Sequence, residues 1–243
     1  METCLIILNN QGNFIPDNRN FEFSVCVLLL LVNLVQNNEP NTQRLLSVRI
    51  RIDNEEDIIS RSVGALDLIV DLFYKREDLA RRAEENTDAL LDGEKEPDDN
   101  NDKKKQSQDD IDETVAKLLA RAGAHMEHSM VGAYMALLLG HAAGAAPHHA
   151  RAVRARVPLY APLLPTLRKY YAFLSLTASA EAAIVAHVKA TQRIIEFMEA
   201  SDKEATETAP PADADVPQDM SLSNLSYSAH SYGAAPVQLD NYH

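Results

Sequence analysis

No tryptophan occurs in the 243 residues, and aromatic side chains make up only 6%. Nucleic-acid or sugar sites built on stacked rings therefore have little to be built from. Two cysteines, Cys4 and Cys26, are too few for a disulfide scaffold and lack metal-ligand spacing. A reducing compartment suits them. The eight glycines are scattered, and none falls in a GxGxxG or GxxxxGK phosphate loop. Long apolar runs are missing too. The longest, Val25 to Val32, is far short of the roughly 20 residues a membrane-spanning helix needs. The opening residues have no basic stretch ahead of an apolar core, so no secretory signal is legible. The sequence predicts a protein that is neither secreted nor membrane-spanning.

What is present is the balance of a soluble globular protein, with 46% hydrophobic and 24% charged residues. The length suits one domain, or one and a half. The net charge of −13 is uneven. Residues 1–83 carry −3, residues 84–113 carry −9, residues 114–200 carry +5 and residues 201–243 carry −6. A nearly neutral body is thus interrupted once and followed once by acidic stretches, which repel phosphate and disfavour DNA binding by the whole chain.

Helical periodicity dominates. Residues 1–20 are turn-rich and read as an atypical N-terminal segment. Phe21 to Val35 is apolar on every side, which predicts a helix buried on every side. Asn41 can cap a short helix running to Leu46. The acids Asp53, Glu55, Glu56 and Asp57 suit a helix N-terminus, and Leu66, Ile69, Val70 and Phe73 make an amphipathic stripe. Together they predict one helix from about Ile58 to Leu91. Residues 93–109 read as a disordered acidic insert, unable to bury apolar area. From Asp110, one face runs through Ile111, Val115, Leu118, Leu119, Ala122, Met126, Ser129, Met130, Ala133, Leu137 and Gly140. Asp109, Asp110, Asp112 and Glu113 favour its first turn, and Gly140 with Gly144 to Pro147 is expected to stop it. Three further helices are expected: one around His148–Arg156, one bearing Leu163, Leu164, Leu167, Tyr171 and Leu174, and one from Ser179 bearing Ile184, Val188, Thr191, Ile195 and Met198. Residues 201–243 read as a disordered tail. No strand is expected after residue 20. The predicted organisation is a first helical part at 21–92, the insert, and a second helical part at 110–200. The architecture expected is all-α, an antiparallel helical array of HEAT/armadillo-like type with one long disordered acidic insert, although no clean internal period is visible.

Chemistry-bearing groups are sparse. His125 and His128 have possible zinc spacing, but zinc takes three or four ligands, no cysteine is near, and Glu127 lies off their face. Solvated helix histidines are the simpler account. The paired carboxylates sit in the acidic insert, where nothing holds two of them in acid and base roles. Ser129, within a turn of both histidines, reads as a packing residue. No catalytic, cofactor-binding or metal-binding residue is expected. The cluster Arg151, Arg154, Arg156, Arg168 and Lys169 lies in the only net-positive segment. It reads either as a solvated helix face or as a docking surface for an acidic protein or DNA. Met126, Met130 and Met135 are core filler or an adaptable contact patch.

Five segments, in order, resemble the wings apart-like family of cohesin-release factors. They are Phe21–Val35, Val63–Glu77 with Ala83–Leu91, Gly123–Gly140, Leu167–Thr177 and Thr191–Glu199. An acidic low-complexity insert falls where the family carries one. The resemblance spans about residues 21–200. Its central segment departs from the family in one place: an Asp-Cys pair is replaced here by His128-Ser129.

The resemblance implies a helical HEAT-like C-terminal domain that works as a non-enzymatic adaptor. It would bind the cohesin ring, at its ATPase head and kleisin, together with HEAT-repeat cohesin regulators, and promote release of the ring from chromatin. ATP hydrolysis would belong to the ring, so no cofactor, small-molecule substrate, sequence-specific nucleic acid or membrane partner is implied. The expected location is the nucleus, on chromatin through cohesin. His125, Met126 and Glu127 match the family's central segment and are the expected protein contact, with Arg121 beside them; helix packing accounts for the same residues equally well. Arg151, Arg154 and Arg156 are the expected basic docking residues. The family's long N-terminal region and preceding helical repeats are missing from this sequence, so it reads as a fragment, with an exposed apolar patch expected on Phe21–Val35. A general HEAT/armadillo scaffold unrelated to cohesin is the alternative, and a histidine metal enzyme a third.

Overall fold

The computed structural model describes residues 1–10, 15–16, 19–52, 61–93, 108–177 and 181–207. Within them the chain is predominantly helical. In order come α1 (Glu2–Asn9), α2 (Asn20–Val35), α3 (Glu39–Ser47), β1 (Arg49–Ile52), β2 (Arg61–Gly64) and α4 (Ala65–Gly93). Then follow α5 (Gln108–Ala145), α6 (Pro147–Arg154), α7 (Leu164–Thr177) and α8 (Ala182–Glu207). The expected insert lies mostly at residues 94–107 and the expected tail mostly at 208–243, both outside the described residues.

The centre of the molecule is α5, which packs against α2, α3, α4, α6, α7 and α8. Every residue from Val131 to Gly140 is buried, so this stretch is enclosed on all sides. That follows from its composition: Val-Gly-Ala-Tyr-Met-Ala-Leu-Leu-Leu-Gly has no polar side for solvent. In a solenoid each helix pair touches only its neighbours, whereas α5 is a hub. Gly140 sits inside the helix and does not stop it. A Cβ there would stand 2.3 Å from Ile194 Cγ2, so the bare backbone is what lets α8 approach.

Several local expectations are corrected. Within residues 1–20, read as an atypical N-terminal segment, α1 buries Leu5 and Leu8 against a surface shared by α2, β1 and α4. The first long helix starts at Ala65, not Ile58. Ahead of it stands an antiparallel hairpin that pairs Ile50 with Val63 and Arg51 with Ser62. Ile50 and Ile52 alternate with Arg49 and Arg51, and Ile50 is buried while both arginines are exposed. The acids expected at a helix start, residues 53–57, lie outside the described residues. The α3 cap is Asn38, whose Oδ1 accepts from the Asn41 amide at 3.0 Å. Asn41 instead donates to the Leu34 carbonyl. Asn37 takes φ 55, a left-handed conformation asparagine tolerates, and ends α2.

Helix α2 is buried on one side only, through Ser24, Val27, Leu28, Leu31, Val32 and Val35. Its outer side leaves Cys26 exposed and Leu30 50% exposed. Those two side chains are the exposed apolar surface of α2, where a patch was expected. At the other end, α8 runs on to Glu207 through residues expected to belong to the tail. The reason is Asp202, whose Oδ1 accepts the Tyr160 amide at 2.9 Å and faces Arg154 at 3.5 Å. No helix among the described residues is long and apolar enough to cross a membrane.

Candidate functional site

The central segment on α5 does two jobs, divided residue by residue. Its polar side chains stitch α5 to the antiparallel α4. Arg121 Nη1 donates to the Asn86 carbonyl at 2.8 Å, and His125 Nδ1 lies 3.0 Å from the Ala80 carbonyl. A carbonyl only accepts, so the proton of a neutral His125 sits on Nδ1, leaving Nε2 free to accept from Ser129 Oγ at 3.5 Å. His128 Nδ1 accepts from Arg76 Nη1 at 3.2 Å. Burial, then the positive charge of Arg76, holds the His128 imidazole below its ordinary range and keeps it neutral for that bond. Burial likewise lowers the Arg76 pKa, opposed by the nearby Glu127 carboxylate.

Of the four central residues expected as a contact, Arg121 and His125 are thus tied to α4, and Glu127 is exposed beside Arg76. Met126 is the open one, at 50% exposure. It helps line a groove of about 160 Å³ between α5 and α7, with His125, Ser129, Met130, Thr166, Lys169, Tyr170 and Phe173. Phe173, on the opposite wall, is 40% exposed. Thr166, Lys169, Tyr170 and Phe173 follow i, i+3, i+4, i+7 spacing, so one face of α7 supplies that wall. This spacing was legible, but the sequence alone gave no sign of which helix it faces.

The basic cluster is largely engaged within the chain. Arg154 reaches the Pro158 carbonyl and Asp202, with its guanidinium carbon 4.9 Å from the Tyr160 ring centroid. Arg156 pairs with Asp67 of α4 at 2.5 Å, and Arg168 pairs with Glu199 at 2.6 Å. Exposed pairs of this kind add little stability, but they remove positive charge from the surface. Arg151 stays exposed on α6. Of the three expected docking arginines, Arg154 and Arg156 are engaged within the chain and Arg151 is exposed.

The histidines are not simply solvated. His149 is buried with Nε2 2.9 Å from Gln43 Oε1, and His187 Nε2 lies 2.9 Å from the Tyr170 hydroxyl. Among the described residues no three His, Cys, Asp or Glu side chains converge on a metal-sized site. A larger cleft of about 490 Å³ lies between the hairpin and α4, lined by Arg61, Lys75, Asp67 and Asp71. Its charges of both signs lie side by side, with no histidine or cysteine among its lining residues. The α5–α7 groove is the candidate site, because it combines exposed apolar side chains from two helices.

These features define a mostly helical protein whose most distinctive surface is an apolar groove on its central helix. The chain is 38% identical over 206 residues, 83% of its length, to Protein wings apart-like of Drosophila melanogaster. It is 28% identical over 232 residues to the Wings apart-like protein homolog of Homo sapiens. The chain belongs to the wings apart-like family. The matched regions are 11% and 19% of the lengths of those two relatives, so the chain corresponds to a small part of either. No family model and no solved structure matches it.

Proposed function

We propose that this chain is a non-enzymatic adaptor that binds the cohesin ring and promotes its release from chromatin, and so regulates sister chromatid cohesion. The observation that carries the reading is membership in the wings apart-like family, with the similarity extending over more than four fifths of the chain. In this reading the partners are the ATPase head and kleisin of the ring and the HEAT-repeat cohesin regulators. The chain acts in the nucleus, on chromatin through cohesin. Its helices form the HEAT-like C-terminal domain of that family, adapted around the α5 hub. Energy comes from ATP hydrolysis by the ring, and the adaptor contributes differential binding. It favours the open gate over the closed one by the difference in its affinity for the two states. The net charge of −13 makes direct DNA binding the poorer account.

The test is capture of purified cohesin by the full chain, with Met126→Glu and Arg151→Glu as companions. Both residues are exposed, so neither change disturbs the core. Arg154 and Arg156 are unsuitable for reversal because each holds an internal carboxylate. Saturable capture that Met126→Glu weakens supports the adaptor reading and places the contact on the groove. Capture unaffected by either substitution keeps the function and moves the contact elsewhere. Failure of a folded chain to capture cohesin removes the reading for this chain.

A further inference from the structure

We propose that the α4–α5 contact at Arg76 and His128 is an acid-sensitive seam, closed at neutral pH and opened locally when the His128 ring takes up a proton. What each partner can offer decides this. Arg76 Nη1 lies 3.2 Å from His128 Nδ1. A guanidinium has only donors, so the bond exists while Nδ1 keeps its lone pair and the ring is neutral. A proton on Nδ1 removes the acceptor of that bond and leaves two cations facing each other across the seam.

The other hydrogen-bonded histidines among the described residues have partners that tolerate a proton. His125 Nδ1 faces the Ala80 carbonyl and its Nε2 faces the Ser129 hydroxyl. His149 Nε2 faces Gln43 Oε1, and His187 Nε2 faces the Tyr170 hydroxyl. A carbonyl or amide oxygen accepts from a protonated ring as well as from a neutral one, and a hydroxyl turns from donor to acceptor. Among these four, His128 alone is set against a group that can only donate.

The charges around the seam come from three helices. α4 contributes Arg76, Glu77 and Glu84, α7 contributes Lys169, and α5 itself contributes His125 and Glu127. Glu77 Oε1 lies over Gly132, one turn beyond His128, and Glu84 shares a shelf with Lys169. Glu127 acts on Arg76. The influences on His128 all run one way: burial, then Arg76, then His125, each favouring the neutral ring. Opening frees that ring to titrate near its ordinary value of about 6.5. The open seam therefore binds more protons than the closed one, and opening becomes easier as pH falls below about 6.5. His128 stands just ahead of the enclosed stretch Val131–Gly140, which α5 keeps buried among its other neighbours. Acid thus frees the start of α5 and leaves the hub packed.

The test is amide hydrogen exchange of the full chain at pH 7 and pH 5, corrected for the chemical rate at each pH. An α5 start released from α4 exchanges readily, because a helix without tertiary support is marginal. The opening constant over Arg121–Met130 is expected to be about ten-fold larger at pH 5. One proton taken up at about 6.5 allows a ceiling of about twenty-five-fold. His128→Gln keeps an oxygen acceptor for Arg76 and does not titrate, so its seam is expected to open equally at both pH values. Arg76→Gln gives the protonated ring an amide oxygen and is expected to cut the response to about three-fold or less. His141→Asn is expected to reduce the acid response of Val131–Ala143 and to leave that of Arg121–Met130 unchanged. The proposal is overturned if the seam of the unaltered chain does not respond between pH 7 and pH 5, or if His128→Gln keeps the response. It is equally overturned if Arg76→Gln keeps the response whole, which assigns it to burial alone. A seam and hub that respond in parallel, with and without His141→Asn, overturn it as well, since the molecule then opens as one unit.

Discussion

Single atoms decide how close the helices lie and how the molecule responds to acid. Gly140 is the most closely approached of the described glycines. Adding a methyl group there drives a carbon to 2.3 Å from Ile194 Cγ2 and 2.9 Å from Met198 Cε. Gly140→Ala is expected to destabilise by about 1–3 kcal/mol through overpacking, measured by urea unfolding. Gly123 is also helical but has nothing within 4 Å of an added Cβ, so Gly123→Ala is expected to stabilise by roughly 0.5–1 kcal/mol. Equal effects at the two sites would mean helix propensity, not close approach, governs Gly140. Acid acts through the histidines. Burial lowers the His141 pKa from its ordinary value to about 4, and burial lowers those of His187 and His149. In the unfolded chain these rings take up protons near the ordinary value, while the folded protein refuses them until lower pH. The unfolded state thus binds more protons across that window, and stability falls as pH drops from about 6.5 toward 4. Urea midpoints at about pH 7 and pH 5 are expected to differ, and His141→Asn is expected to shrink the difference. A midpoint independent of pH over this range would show that the rings are solvated.

At the level of elements, sequence and structure agree where periodicity is long and diverge where composition leaves two solutions. The long helices carry stripes readable without coordinates, but the face expected to be buried on α5 fails toward its start, where Leu119, Ala122 and Met126 are exposed. The rule that an all-apolar helix is buried all round was sound but belongs to Val131–Gly140 of α5; α2, to which it was applied, is open along Cys26 and Leu30. Composition alone does not say which of two apolar helices receives more neighbours. The hairpin escaped because Arg-Ile-Arg-Ile is only four residues of alternation, and the acids after it suit a helix start equally well. The groove was half legible: Met126 was singled out, whereas Phe173 needed the α5–α7 contact to become its opposite wall. The end of α8 shows the physics most clearly. Asp202 looked like the first residues of an acidic tail, yet it accepts the Tyr160 amide and faces Arg154. Asp202→Ala is expected to cost about 1–3 kcal/mol, since the loop amide at Tyr160 loses its acceptor. Arg151→Glu, on the same basic segment but exposed, is expected to stay within about 0.5 kcal/mol. Chemical denaturation of both variants checks the pair, and equal losses would return Asp202 to the tail.

For the whole molecule, the consequence of a hub helix is a gradient of stability along one continuous element. Between Val131 and Gly140, α5 is enclosed by its neighbours, and opening it exposes side chains on every face. Toward its start, Leu119 is 68% exposed and Met126 50% exposed. There the contacts with α4 are hydrogen bonds from Arg121 and His125, lying near the exposed pairs Arg81–Asp78 and Arg81–Glu85. Such pairs contribute little, whereas burying a leucine contributes roughly 1.5–3 kcal/mol. Amide hydrogen exchange is therefore expected to be slowest from Val131 to Ala143, opening only with global unfolding, and faster by orders of magnitude from Lys117 to Gly123. Leu137→Ala, at a fully buried position, is expected to cost about 2–5 kcal/mol and to speed exchange throughout the slow stretch. Leu119→Ala is expected to change neither by much. Uniform protection along α5 would contradict a hub that is enclosed over Val131–Gly140 and open at Leu119 and Met126. It would also place the groove on rigid ground at both walls, leaving its Met126 side no freer to adjust to a partner than its Phe173 side.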